Sequence, residues 1–199
     1  MITAIVKGRD STSARTRESF EVLMRNSYRQ AFSLAYRLTG NKAEAEDLVQ
    51  ESYLRAYRFF HRYDDALPFT SWLYRIMTNA HIDSVRRKSR IKTTSLDQPM
   101  GDHASAWELP SNDDRPGDAM LAETMDAPVQ EALKSIKPEF RMAVLLADVD
   151  GMAYEEIAEV MQTSVGTVRS RIHRGRTQLR KRLLQMAPDR FREANHDLR

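Results

Sequence analysis

Apolar positions recur at helical spacing through most of this chain. From residue 20 they fall at Phe20, Leu23, Met24, Ala31, Leu34, Ala35 and Leu38, with Ser27 in the same stripe. Gly40, in the run LTGN, reads as the stop of that helix. The segment AEAEDLVQESYLRAYRFF places Ala45, Leu48, Val49, Ser52, Ala56 and Phe59 on one face. Asp64, Asp65 and Pro68 then break the pattern over residues 61–69. A third helix is expected from Thr70 or Ser71 as N-cap, with Leu73, Ile76, Met77 and Ala80 inward. Trp72 goes with the core on its helical position, rather than serving as a wedge between bases.

The second half repeats the period. Pro128 and Pro138 each sit where a first helical turn tolerates proline, so PVQEALKSI and PEFRMAVLLADV read as two short helices. Asp150-Gly151 ends the second. AYEEIAEVM, the turn QTS and VGTVRSRIHRGRTQLRKRLL follow as two helices around a brief turn. The fold class expected is all-α. Two small helical domains, residues 18–92 and 126–186, are joined by a flexible acidic linker over 93–125. Residues 1–17 and 187–199 read as tails, the first without order.

Charge sharpens this picture. The net charge is only +3, but its distribution is uneven. Residues 165–182 hold seven Lys/Arg and no acid, and residues 75–92 hold six against Asp83. Residues 93–126 hold eight acids against Arg115. Two basic blocks around an acidic connector suggest two surfaces for a polyanion, whose counterions binding would release. With no cysteine, disulfides and thiolate metal sites are excluded. No apolar run approaches the roughly 20 residues of a membrane span, and residues 1–17 lack a signal-peptide core. A cytoplasmic protein without membrane insertion is expected.

The segment YEEIAEVMQTSVGTVRSRIHRGR has the build of a helix-turn-helix. Ile157, Ala158 and Met161 face inward on its first helix. Ser164 is placed to cap the second, and Val168, Ile172, Gly175, Leu179 and Leu183 form that helix's buried stripe. The other face carries Thr167, Ser170, Arg171 and Arg174, flanked by Arg169 and His173. Arginine can bind guanine bidentately and Ser or Thr can bind base or phosphate, so this face suits the major groove. A partner-binding helix is the competing reading.

MAYEEIAEVMQTSVGTVRSRIHRGRTQLRKRL resembles region 4.2, and KPEFRMAVLLADVDG region 4.1, of the extracytoplasmic-function (ECF) sigma factors of the sigma-70 family. NKAEAEDLVQESYLRAYRFF resembles their region 2.2, and FTSWLYRIMTNAHIDSVRRKSR their regions 2.3 and 2.4. The resemblance covers about residues 20–90 and 126–186. It implies that Asp47, Leu48, Gln50 and Glu51 bind core RNA polymerase, through its beta and beta-prime subunits. Leu48 is expected to be partly core. By itself that acidic face is equally an ordinary solvated one. The resemblance further implies that the loop over 61–69, with His61, Arg62, Tyr63, Asp64 and Phe69, captures a flipped base of the −10 element. Tyr74, Asn79, Asp83, Arg86 and Arg87 would face −10 DNA. Ser164, Thr167, Arg169, Ser170, Arg171, His173 and Arg174 would meet the −35 element, with Thr167 and Arg171 on phosphate. The connector would thread toward the active-site cleft. Promoter DNA and an anti-sigma factor are the further partners implied, and a stress-responsive role in transcription initiation is the function.

Catalysis finds little support. His61, His81, His103, His173 and His196 show no metal-ligand spacing, and no glycine loop cradles phosphate. Adjacent pairs such as Glu155-Glu156 diverge on a helix and cannot face each other as acid and base. No cofactor, metal or catalytic residue is expected. The main rival is a stand-alone helix-turn-helix regulator. The N-terminal half argues against it, having no alternating βα pattern and a basic helix of its own.

Overall fold

A computed structural model of the chain describes residues 3–94 and 126–191, with side chains over 18–88 and 126–191. The acidic connector from residue 95, including a short helix expected over 119–125, lies outside the described residues, as does the tail beyond 191. Eight α-helices and one 3₁₀ turn make up the described part: α1 (Thr3–Thr39), α2 (Lys42–Arg58), the turn Phe60–Arg62, α3 (Phe69–Thr94), α4 (Ala127–Lys134), α5 (Pro138–Asp148), α6 (Tyr154–Val160), α7 (Val165–Met186) and α8 (Pro188–Phe191).

The first three helices form a bundle. Gly40 adopts φ 66°, which L side chains resist, and its N–H returns to Tyr36 O at 2.7 Å. Asn41 then caps α2, its Oδ1 accepting from Glu44 N at 3.0 Å. Phe32, Leu34, Leu38, Leu73 and Met77 fill the centre, while Ala31, Ala35, Ala45 and Ala56 let the helices approach closely. The buried hydroxyls find partners. Ser27 Oγ meets Tyr53 OH at 2.8 Å, Ser52 donates to Leu48 O at 2.6 Å and Thr78 to Tyr74 O at 2.7 Å.

The second half folds around α5, whose Met142, Ala143, Leu145 and Leu146 are buried. Gly175 lets α7 cross it at close range. A Cβ there would stand 2.6 Å from Val144 Cγ2 and 3.0 Å from Phe140 O. Arg176 fastens the same crossing from outside through a bidentate pair with Asp148.

The two halves also pack on each other. α1 meets α4 and α5, α3 meets α5 and α6, and buried residues of both halves form one continuous cluster. Polar groups cross this junction. Arg141, only 8% exposed, donates to Leu38 O at the end of α1, to Lys134 O (2.8 Å) at the end of α4 and to Ile136 O (3.2 Å) just past it. Buried Gln130 donates from Nε2 to Tyr36 O (3.3 Å) and Arg37 O (3.2 Å). The last carbonyls of α1, which no residue of α1 can satisfy, are thus capped from the other half of the chain. A cation at a helix C-terminus is also favoured by the helix dipole. The expected all-α class is what the chain adopts, but the halves share a core instead of standing apart. Periodicity marks an apolar face and is silent on what covers it.

Several boundaries differ from the sequence reading. α1 starts at Thr3, where a tail was expected. The stretch has no proline, and although Gly8 and its Ser and Thr residues are weak helix formers, a helix nucleated by the bundle extends outward without needing a buried face. α3 starts at Phe69, ahead of the expected caps. Pro68 O receives Ser71 N at 3.1 Å and Trp72 N at 3.4 Å, so the first bonds close without a side-chain cap. Phe59 is exposed instead of facing the core, because α2 ends at Arg58 and the following turn redirects the chain. Past residue 187 the expected tail begins with α8, whose Arg190 pairs with Asp126.

Two outcomes follow for stability. Gly175→Ala gains helix propensity worth about 1 kcal/mol. It also forces a methyl into Val144 and the Phe140 carbonyl, costing about 1–3 kcal/mol. Denaturant titration should therefore show net destabilisation, and an unchanged or raised midpoint would contradict the close crossing. The second concerns Asp150. Burial pushes its pKa up to about 6, although Arg37 and the Tyr74 hydroxyl pull it back. The folded chain then holds a proton that the unfolded chain releases, so this group's contribution is lost as pH rises through about 6. Asp150→Asn should gain on the wild type between pH 4 and pH 7 by about 1–2 kcal/mol. Thermal unfolding across that range checks it, and a gap that narrows with pH would contradict it.

Candidate polymerase and nucleic-acid interface

Three surfaces carry the residues that the sequence singled out. The first is the outer face of α2. Asp47 and Gln50 are exposed, and half-buried Glu51 pairs with Arg55 one turn on. Leu48 lies in the core and supports this face from behind. Leu54 continues the face at 64% exposure, followed by Tyr57 at 49%. An acidic, amide-bearing row thus ends in two exposed apolar side chains, a pattern suited to a partner helix with basic and apolar positions. Helical spacing places Leu54 there, yet only the structure shows Leu54 and Tyr57 uncovered. Behind the row, Glu44 bridges to Lys88 of α3 at 2.8 Å. His81 is buried beside them. Burial holds its pKa at about 4, with Arg141 adding to the effect, so the ring is neutral at pH 7.

The second surface is the loop between α2 and α3. Phe60 and Tyr63 stack at 5.7 Å, and Tyr63 meets the edge of Phe69 at 5.4 Å and Trp72 at 5.3 Å. Tyr63 OH donates to Leu67 O at 2.7 Å, and Asp64 Oδ1 accepts from Ala66 N at 3.0 Å, which fixes the loop. The result is an open concavity lined by Ser19, Leu23, Phe60, His61, Arg62, Tyr63, Asp64 and Asp65. His61, Arg62 and Asp64 are exposed on it and Tyr63 is half-buried. Arg62 also lies over the Phe59 ring at 5.3 Å. Phe69 is a correction. At 6% exposure it packs under the loop between Phe20 and Trp72, so here it props the concavity from beneath. Ser19, Leu23 and Phe60 are walls that sequence reasoning missed. Two of them come from α1, a juxtaposition that no local pattern encodes.

Beyond the loop, Asn79, Asp83, Arg86 and Arg87 are exposed at spacings of four and three along one side of α3. Tyr74 is the second correction. It is 4% exposed and its hydroxyl donates to Asp150 Oδ1 at 3.4 Å. Burial and that carboxylate raise its pKa, so it remains a donor inside the fold rather than a group facing DNA. The side of Tyr74 expected to face −10 DNA is covered here from the second half of the chain, at Asp150.

The third surface is the N-terminal half of α7. Ser164 caps it, its Oγ accepting from Thr167 N at 3.2 Å and meeting Thr167 Oγ1 at 2.9 Å. Glu156 closes the N-terminus of α6 by accepting from Ala153 N at 2.8 Å. Val168 and Ile172 are buried. Arg169, Ser170, His173 and Arg174 project outward, and Thr167 and Arg171 are half-buried at the margin. The packed side of α7 therefore fixes which arginines face solvent. Arg176 is drawn to Asp148 and stands outside this set. Among the described residues no helix is long and apolar enough to cross a membrane.

Comparison with known proteins bears on all three surfaces. Residues 23–91 match the family model for sigma-70 region 2, and residues 126–179 that for sigma-70 region 4. The ECF RNA polymerase sigma factor SigE of Mycolicibacterium smegmatis is 40% identical over 88% of this chain and 66% of its own length. SigW of Bacillus subtilis is 33% identical over 76% of this chain and 82% of its own. The solved sigma factor RpoE of Bartonella quintana, in complex with the anti-sigma factor NepR, shares the fold. It does so with a TM-score of 0.64 over 85% of this chain and 99% of that one, at 22% identity. The ECF sigma factor SigJ of Mycobacterium tuberculosis gives a TM-score of 0.53 at 27% identity, over 81% of this chain and 52% of that one. With both family models matched in order and these relatives alongside, the chain belongs to the ECF branch of the sigma-70 family.

Proposed function

We propose that this chain is an alternative sigma factor that joins core RNA polymerase and directs it to a two-part promoter. The α2 face of Asp47, Gln50, Glu51, Leu54 and Tyr57 docks on the polymerase. The concavity at residues 60–65 receives an unstacked base of the −10 element, with Tyr63 and Phe60 offering aromatic stacking. Such stacking contributes about 1–3 kcal/mol per base and offsets the cost of flipping. Asn79, Asp83, Arg86 and Arg87 follow the adjoining DNA. Arg169, Ser170, His173 and Arg174 read base edges of the −35 element, while Thr167 and Arg171 hold phosphate.

The observation that carries this reading is the presentation of α7. Its cap, its glycine crossing and its Arg176 strap leave four outward polar residues on a rigid helix, on a chain whose other half offers a second basic helix. The protein supplies recognition, and the polymerase supplies the chemistry, so no catalytic residue or cofactor is assigned. Work of this kind is done in the cytoplasm. An anti-sigma factor is a further partner, supported by the RpoE–NepR complex and by the accessible α2 face. A stand-alone regulator is not favoured, since it would have no use for the α2 face.

Run-off transcription from a promoter library, with core polymerase plus and minus this chain, tests the reading. Start sites dependent on the chain, each preceded by two shared motifs, are expected. Arg174→Ala should cost about 1–3 kcal/mol at promoters bearing the preferred base at one −35 position. Equal loss on every sequence would move Arg174 to phosphate, and no chain-dependent initiation would overturn the assignment.

A further inference from the structure

Two stripes of the same spacing face each other in the N-terminal half. Glu44, Asp47, Leu48 and Glu51 follow i, i+3, i+4, i+7 on α2. His81, Ser84, Val85 and Lys88 do the same on α3. A seam between packed helices is normally apolar, yet Leu48 and Val85 are the only apolar members of this one. The stripes do not close on each other. Together with Thr39 at the end of α1 they leave a half-enclosed cavity of about 150 Å³.

Two demands in this cavity are unmet. The first is charge. Glu44 bridges to Lys88 at 2.8 Å and Glu51 pairs with Arg55, but Asp47, exposed on the same stripe, has no ion pair among the described residues. The cavity is one positive charge short. The second is a hydrogen bond. His81 lines the cavity at 6% exposure, and its Nε2 has no partner among the described residues. A buried polar atom left without a partner is costly, and folded proteins keep few of them. The ring is neutral at pH 7, so it can accept a hydrogen bond and does not repel a cation. The torsion that turns the ring is soft, so Nε2 can swing toward a ligand.

We infer that this cavity is a binding site for one guanidinium group. A guanidinium is planar, weakly hydrated and carries its charge over five N–H donors. Asp47 supplies the counter-charge, His81 Nε2 and the Ser84 hydroxyl accept from the remaining N–H groups, and the faces of the plane lie against Leu48 and Val85. An ammonium brings the same charge, but it is strongly hydrated and has no apolar faces to set against those two side chains. A metal ion is a poorer match, since among the described residues no three acidic or histidine side chains stand together as ligands. Asp47 and Glu51 belong both to the cavity wall and to the α2 face assigned to polymerase. The source that fits is therefore an arginine of the docking polymerase, inserted between α2 and α3. This choice of source rests on the sigma-factor reading above, and the site itself does not. It adds His81 and Ser84 of α3 to a docking surface otherwise drawn on α2 alone.

Two titrations of the full-length chain test this. Ethylguanidinium chloride should shift the NMR signals of the His81 ring and the Val85 methyls saturably, and ethylammonium chloride should not. His81→Phe removes the acceptor, and Ser84→Leu fills the cavity. Both should abolish the saturable shift at Val85, while His81→Gln, which keeps an acceptor, should retain it. Circular dichroism establishes that each variant is folded. In the second titration, core polymerase should bind His81→Phe and Ser84→Leu about tenfold more weakly than the wild type, the effect of losing one hydrogen bond to a charged group. His81→Gln should bind close to the wild type. No saturable shift in the wild type, the same shift in both variants, or an equal response to ethylammonium would overturn the guanidinium site. Saturable shifts with core affinity unchanged in both variants would overturn the polymerase arginine as the source and leave a free guanidino compound. A failure of the sigma reading is seen separately, as a wild-type chain that does not bind core at all.

Discussion

One buried guanidinium organises this molecule. Arg141 reaches from α5 into the junction and satisfies carbonyls at the end of α1, at the end of α4 and just past α4. Burial disfavours its charge, yet an arginine stays protonated, so the surrounding carbonyls must supply what water would have given. Removing them would strand a charge, and removing the arginine would strand three acceptors. Breaking a buried charged contact of this sort costs several kcal/mol, far more than an exposed ion pair. Gln130 works beside it on the same helix end. The relation between the halves is therefore set by hydrogen-bond satisfaction as much as by apolar area.

That constraint shapes the functional surfaces. At the other end of α1, Phe20 packs on Tyr57, Phe60 and Phe69, which stands Ser19 and Leu23 where they wall the loop concavity. Because α5 is seated by Arg141, the α5–α7 crossing at Gly175 presents Arg169, Ser170, His173 and Arg174 outward. The same seating brings Gln162 against Arg75. Packing that builds the two reading heads thus also brings them together.

Much of this was visible in the residues. The stripes of α1, α2 and α7, the glycine stops at Gly40 and Gly151, the Ser164 cap and the helix-turn-helix all follow from spacing and local hydrogen bonding. On α7 Ser170 and Arg174 face outward as the opposite stripe implies, whereas Thr167 and Arg171, expected on that face, are half-buried at its margin and the flanking Arg169 and His173 are exposed. What escaped was whatever depends on distant pairing. Phe69 and Tyr74 are polar-adjacent aromatics near a loop, and sequence alone cannot tell a stacking platform from its support. Their burial against Phe20 and Asp150 is decided by helices far away in the chain. Residues 3–17 were read as a tail because periodicity reports a buried face, whereas helix formation needs none once begun.

The division of labour among the three surfaces is the central claim, and hydrogen–deuterium exchange tests it most directly. Exchange would be followed in the free chain, with core polymerase added, and then with promoter DNA. Core alone should protect α2 around Asp47–Glu51, and promoter DNA should add protection at residues 60–65, 79–87 and 167–174. Protection of α7 by duplex in the absence of polymerase, with α2 unchanged by core, would contradict the account and make this chain a self-sufficient DNA binder.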